Sequence, residues 1–236
     1  MLLFTANKLE GSKMKDSEVN QLKDHIIKTA SGLFIKYGYS KTTIRQIAES
    51  SGLGRGHLYY YFKKKEDILL YLYKELLEKI YGTIAEKKIK ENDIIANYII
   101  SQYIYTHAIA TSEKVFRLYI EASNVRSIRK EYINILLGLF KEKLVESDYN
   151  FNDKDLYMSI AMGCAGECEL LNQYYEGILN VDLDDIIINV VKTRFALLNV
   201  NEHIDIDKII QEAKEFKDDM NLEEVVNNVV ESSDLI

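Results

Sequence analysis

Thr42-Thr43-Ile44-Arg45-Gln46-Ile47-Ala48-Glu49-Ser50-Ser51-Gly52-Leu53-Gly54-Arg55-Gly56-His57-Leu58-Tyr59-Tyr60-Tyr61-Phe62-Lys63-Lys64-Lys65-Glu66-Asp67 is the stretch on which the reading of this chain turns. Thr43 and Gln46 stand at capping-box spacing, the hydroxyl accepting from the third helical amide and the amide side chain reaching back to the Thr43 N–H. A short helix therefore starts after Thr43. Ile44, Ile47 and Ala48 give it one buried face, and Gly52 suits the left-handed conformation that closes a helix. A second short helix follows from about Arg55 to Tyr61, with Leu58 and Phe62 pointing inward. Two such helices joined by a glycine turn make a helix-turn-helix.

Working outward, Leu22, Ile26, Ala30, Leu33, Phe34 and Tyr37 recur at helical steps and end at Gly38. Residues 1–17 show no usable period and read as a flexible tail. After the lysine run, Glu66-Asp67 opens a long helix with an acidic first turn, as the helix dipole favours. It runs through Leu69, Leu72, Leu76, Ile80 and Ile84 to about Lys88. Further helices are predicted at about 91–110, 113–123, 126–147, 154–176, 182–200 and 205–230, with no strand-like alternation between them. The 236 residues contain no proline, so nothing forces a helix to stop. The fold class is all-α. Residues 18–65 are expected to form an amino-terminal three-helix unit containing the helix-turn-helix, and 66–236 a larger helical domain with an extra acidic carboxy-terminal helix.

Composition excludes several other classes. Cys164 and Cys168 lie four residues apart, so a disulfide between them would close almost no loop, and they read as buried, inert thiols in a reducing cytoplasm. The apolar start Met1–Phe4 is too short for a secretory signal. Residues 94–112 carry no Asp, Glu, Lys or Arg, but Asn97, Ser101, Gln102, Thr106 and His107 mark the segment as a helix buried in protein rather than a membrane span. No His-Glu-x-x-His, phosphate loop or nucleophile elbow appears, so no enzyme, cofactor or metal is expected.

The net charge of −7 is unevenly spread: residues 1–88 hold 16 basic and 10 acidic side chains, the remainder 14 and 27. A basic amino-terminal module on an acidic body suits a nucleic-acid reader joined to a sensing domain. In a helix-turn-helix the second helix enters the major groove. Its exposed side chains here would be Arg55, His57, Tyr59, Tyr60 and Tyr61, with Gly54 and Gly56 admitting a phosphate close to the backbone. Arg55 is the candidate for base readout, and Lys63, Lys64 and Lys65 supply non-specific attraction. The competing reading is a helical ligand-binding or protein-interaction module whose tyrosines pack inward.

Thr42 to Ala48, Gly52-Leu53 and Gly56 to Leu69, together with Leu33 to Tyr39 in the same register, resemble the DNA-binding domain of the TetR family of transcriptional regulators over about residues 20–70. The resemblance implies that Thr43 and Arg45 touch the operator. It also implies that Arg55, Gly56, His57, Tyr59 and Tyr60 belong to the recognition helix and that Lys65 grips a phosphate. Gly54 departs from the capping residue common in the family, and His57 from a small hydroxyl residue.

The resemblance further implies a repressor that binds a palindromic double-stranded operator as a homodimer, built through about 154–176 and 182–200, and is released by a small-molecule effector. Gly163, Ala161, Ala165 and Gly166 would permit close approach of the partner, and Ile186, Ile187, Val190, Val191 and Leu197 would supply apolar surface. On the helix from Leu156 to Tyr175, Glu167 and Glu169 fall on opposite stripes. At least one is expected to be buried against a lysine, a tyrosine hydroxyl or a cationic ligand. Tyr98, Gln102, Tyr105, His107 and Tyr119 join the two glutamates as candidate pocket lining.

Overall fold

The computed structural model describes residues 3–87, 93–145, 149–198 and 204–230, with side chains from Asn20 onward other than those of Lys143 and Val230. The described residues form eleven helices and no strand: α1 (Leu3–Tyr37), α2 (Ile44–Ser50), α3 (Arg55–Tyr61), α4 (Lys65–Glu86), α5 (Ile94–Ile109), α6 (Glu113–Ser123), α7 (Arg126–Leu144), α8 (Asp153–Tyr175), α9 (Leu183–Ala196), α10 (Ile206–Asp218) and α11 (Leu222–Val230). The expected helix limits at 88, 91, 147 and 200 fall outside the described residues. None of these helices is long and apolar enough to cross a membrane.

Two expectations are corrected. The first helix does not begin near Glu18 but runs from Leu3: residues 3–17 hold no proline, and their one glycine, Gly11, is tolerated within the helix even though the segment carries no apolar stripe. The segment 205–230 is not one helix but two. Asn221 stops and restarts the chain: its Oδ1 accepts the Glu224 N–H (3.2 Å) while its Nδ2 donates to Glu224 Oε2 (3.3 Å). Both helices pack within their own chain, α10 on α5 and α9, α11 on α4, α5 and α1.

One apolar cluster runs from Ile26 and Phe34 through Leu58, Ile68 and Leu72 into the body as far as Val226. Its centre is α5, which is buried on nearly every face and contributes Ile99, Tyr103, Ile104 and Tyr105 with no exposure at all. This all-round burial accounts for the absence of charge in the segment. The helices α1, α2 and α3 pack around Ile47 and Leu58. Helices α6 and α4 pack on α1 and connect this trio to the rest.

Candidate nucleic-acid interface and effector core

Local chemistry sets the geometry of the amino-terminal trio. Gln46 donates its N–H to Thr43 Oγ1 (3.2 Å), and Thr43 donates its N–H to Gln46 Oε1 (2.8 Å), so the capping box is closed. Gly52 takes φ +67°, and Leu53 donates to the Ala48 carbonyl across the turn (3.0 Å). The His25 ring bonds the Ser51 carbonyl (3.1 Å), tying the turn back to α1. With Leu58 fully buried, α3 turns Arg55, Gly56, His57, Tyr59 and Tyr60 outward, Tyr60 at 72% exposure. Gly54 supplies no side-chain cap to α3, and Gly56 leaves open space where a Cβ would be. Tyr61 is half-buried and meets Tyr60 edge to face at 5.1 Å.

Thr43 and Arg45 stand exposed at the start of α2. Arg45 donates from Nε to Glu49 Oε1 at 2.6 Å, which raises its already high pKa through that hydrogen bond and charge. Arg55 makes no ion pair among the described residues. Lys65 sits differently from what the family pattern implies: its ammonium is turned inward. It donates to the carbonyls of Tyr39 (2.8 Å) and Thr42 (3.0 Å) and lies over the Tyr39 ring at 4.1 Å. Burial lowers its pKa. The outward lysines are Lys63 and Lys64, whose backbone amides are both held by the Asp67 carboxylate.

In the body, the structure brings Tyr98, Gln102 and Glu167 together around a residue that sequence reading missed, Arg194 (1% exposed). Its guanidinium donates to Tyr98 Oη (2.7 Å), Gln102 Oε1 (2.9 Å) and Glu167 Oε2 (2.8 Å). Glu167 Oε1 accepts from Gln102 (2.6 Å) and Thr106 (3.2 Å). The buried carboxylate thus has an internal partner and needs no cationic ligand. Arg194 continues the α9 stripe of Ile187, Val190 and Val191, and that periodicity was the signal that it points inward. Glu169 is exposed and bonded to Gln173, so it does not join Glu167. Tyr105 and Tyr119 are buried in a neighbouring aromatic cluster with Tyr73 and Tyr132. Cys164 and Cys168 are free and buried, and burial pushes the Cys164 thiol up to about 11, so it is un-ionised at neutral pH. The cavities beside Arg194 and beside the two cysteines measure about 10 and 20 Å³, room for a water each.

His107 is separate from that network. Its Nε2 pairs with Asp184 Oδ1 (2.8 Å), which also accepts from Tyr103 Oη (2.8 Å), while Lys214 holds Oδ2 (2.9 Å). Burial pushes the Asp184 pKa up, but the donations from Lys214, Tyr103 and His107 outweigh it and hold the carboxyl at about 2. Burial also lowers the His107 pKa, keeping the ring neutral. His107 lines an open cleft of about 820 Å³ between α5, α6, α8, α9 and α11.

The helices expected at the dimer seam, α8 and α9, pack extensively on each other. Ile186, Ile187, Val190 and Val191 are buried in that packing, and Gly163 is covered by the Arg194 side chain. These residues are therefore used within the chain rather than offered to a partner. What α8 and α9 expose is a second stripe: Met158, Met162 (56%), Ala165 and Gly166 on α8, with Thr193, Ala196 and Leu197 on or next to α9.

A capped helix-turn-helix with a solvent-facing second helix, carried on an all-helical body, defines a DNA-reading transcriptional regulator. Residues 26–72 match the family of bacterial regulatory proteins, tetR family. The chain is 30% identical over 154 residues to the HTH-type transcriptional regulator QacR of Staphylococcus aureus, covering 59% of this chain and 80% of that protein. It is 30% identical over 128 residues to the fatty acid metabolism regulator protein of Bacillus subtilis, covering 50% of this chain and 65% of that one. A TetR transcriptional regulator from a Rhodococcus species shares the fold with a TM-score of 0.56 at 10% identity, over 76% of this chain and 97% of that one. RolR, solved in complex with resorcinol, does so at 0.57 and 14% identity, over 84% and 95%. The chain belongs to the TetR family, which decides for the DNA-binding regulator over the interaction module.

Proposed function

We propose that the protein is a repressor that holds a palindromic operator as a homodimer and releases it when a small molecule binds the helical body. The observation that carries this reading is the outward face of α3: an unpaired Arg55 between Gly56, His57, Tyr59 and Tyr60, with Lys63 and Lys64 beside it. Arg55 reads a guanine edge through two hydrogen bonds. Thr43, Arg45 and the tyrosines bond phosphates and fix the register. The exposed Met158 and Met162, one turn apart on α8, together with Leu197 at the end of α9, support the partner surface, because a second copy covering them takes their apolar surface out of water. Two modules then face successive major grooves about 34 Å apart.

The same scheme places the protein in the cytoplasm, where its operator is, and gives it no catalytic role. Effector binding favours a spacing of the two modules that no longer matches the grooves. Selection from a random duplex library with the full chain at moderate salt tests this. The expected outcome is an enriched palindrome whose occupancy falls steeply with salt. Protein that is folded and dimeric yet enriches no site would overturn the reading.

A further inference from the structure

The surroundings of Arg194 and Glu167 offer an effector little room, because the two neutralise each other there and the described cavities beside Arg194 and the two cysteines hold a water at most. Ligand sites of this size class run to several hundred Å³, and the cleft beside His107 reaches about 820 Å³. Its walls are aromatic and apolar. Phe116 meets Tyr175 edge to face at 5.3 Å and lies 6.1 Å from Tyr174, and Leu222, from the carboxy-terminal α11, closes one side.

Beside the hydroxyls of Thr111, Tyr174 and Tyr175, the polar groups lining this cleft are a carboxylate and a histidine. Glu113 lines it with an exposed carboxylate that has no ion-pair partner among the described residues. His107 commits its Nε2–H to Asp184, so the neutral ring keeps Nδ1 as a lone-pair acceptor. Among the described residues, no lysine or arginine lines the cleft. The two lysines whose charges act on His107 are engaged in ion pairs, Lys214 with Asp184 (2.9 Å) and Lys217 with Asp218 (3.7 Å).

We propose that this cleft is the effector site and that it selects an organic cation with an apolar or aromatic body. Aromatic faces attract a cation through their quadrupoles, and an unpaired carboxylate at the rim adds Coulomb attraction. An anionic ligand would meet Glu113 with nothing to offset it. The location also reaches the DNA-binding end. The helix that carries Glu113 and Phe116 into the cleft is α6, and one turn further Arg117 donates to the Ile35 carbonyl of α1 (2.9 Å) while Glu121 accepts the Ser40 N–H (3.0 Å). A ligand that moves α6 therefore moves contacts on the reading module.

The proposal rests on the regulator reading, and its test separates the two. Titration calorimetry on the full chain compares benzyltriethylammonium, 4-tert-butylbenzyl alcohol and 4-tert-butylbenzoate, three probes of similar apolar bulk and different charge. The cation is expected to bind tightest, Glu113→Gln to weaken it by about threefold to tenfold, and Glu113→Lys to reverse the preference towards the carboxylate. Because Glu113 is exposed, neither variant threatens folding. Absence of cation binding at millimolar concentration, tighter binding of the carboxylate, or an unchanged affinity in Glu113→Gln each overturns the cleft assignment. Operator binding measured on the same protein without probe is unaffected by any of these outcomes, so a failure there strikes the regulator reading alone.

Discussion

Gly163 and Arg194 occupy the same space: a Cβ at position 163 would overlap the arginine side chain at Cγ, Cδ and Nε. The overlap falls in the middle of the arginine side chain rather than at a freely moving end, and the guanidinium is fixed by Tyr98, Gln102 and Glu167. Gly163→Ala is therefore expected to destabilise the protein by about 3 kcal/mol, combining overpacking with a strained buried ion pair. Urea unfolding followed by circular dichroism measures it. A change within error of zero would show that α9 can shift to make room.

The Arg194–Glu167 pair makes a second test. Removing one partner leaves the other charged and buried, so Glu167→Ala should cost about 3–5 kcal/mol. The double substitution Glu167→Leu with Arg194→Met replaces both charges with apolar volume and is expected to recover most of that loss. A double-substitution loss equal to the sum of the two singles would mean that the pair contributes nothing through its coupling.

The contrast between these residues and the helix-turn-helix shows what the sequence makes legible. Thr43 and Gln46, Gly52 and Leu58 announce themselves because capping, left-handed closure and inward packing are local and act within a few residues. Helical period also puts Glu167 and Glu169 on opposite stripes, though it does not say which of the two is buried; the contacts that α8 makes with α5 and α9 decide for Glu167. Arg194 is legible only in part: its step from Ile187, Val190 and Val191 places it on the inward stripe of α9, but its charge reads as surface until Glu167, Gln102 and Tyr98 from α8 and α5 are placed around it. The inward turn of Lys65 is equally hidden, because its two acceptors, the carbonyls of Tyr39 and Thr42, lie more than twenty residues away. The cleft is the least legible feature, as its walls come from five helices.

Arg55 and Lys65 should behave differently when removed. Arg55→Ala is expected to cost about 1–3 kcal/mol on the selected operator and to relax preference at one base position, with random DNA bound nearly as before. Lys65→Ala removes the side-chain donor from the Thr42 carbonyl and one of the two donors of the Tyr39 carbonyl, which keeps the Thr42 N–H, and so should lower the melting temperature of the DNA-binding end as well as affinity for all sequences. Fluorescence anisotropy on specific and random duplexes, paired with thermal melts, separates the two. An undiminished melting temperature in Lys65→Ala would return that residue to direct phosphate contact.

The Asp184 cluster gives stability a defined dependence on pH. The folded pKa of Asp184 lies below its unfolded value, so its contribution is fully present above the ordinary carboxylate range and is lost as pH falls towards about 2. His107 also has a lowered folded pKa, so the unfolded chain takes up its proton first, and stability declines as pH drops below the ordinary histidine range near 6.5. Denaturation midpoints measured between neutral pH and pH 5 should fall for the native chain and stay flatter for His107→Gln. A parallel decline in the variant would assign the effect to other groups.

The contact between α6 and the α1–α2 turn is the remaining test, and it concerns how the body holds the reading module. Gly38 ends α1 at φ +89°, and a Cβ there would come within 2.7 Å of Glu121 Oε1, the carboxylate that accepts the Ser40 N–H. Gly38→Ala should cost about 1–2 kcal/mol from the left-handed backbone alone, and it should also push Glu121 off Ser40. Glu121→Ala removes the same acceptor without backbone strain. Both substitutions are expected to speed hydrogen exchange at the Ser40 amide by about tenfold, the equivalent of one lost hydrogen bond, while amides in the middle of α5 exchange as before. Acceleration in Gly38→Ala without any in Glu121→Ala would locate the effect in the α1 terminus and remove Glu121 from the connection between body and DNA-binding end.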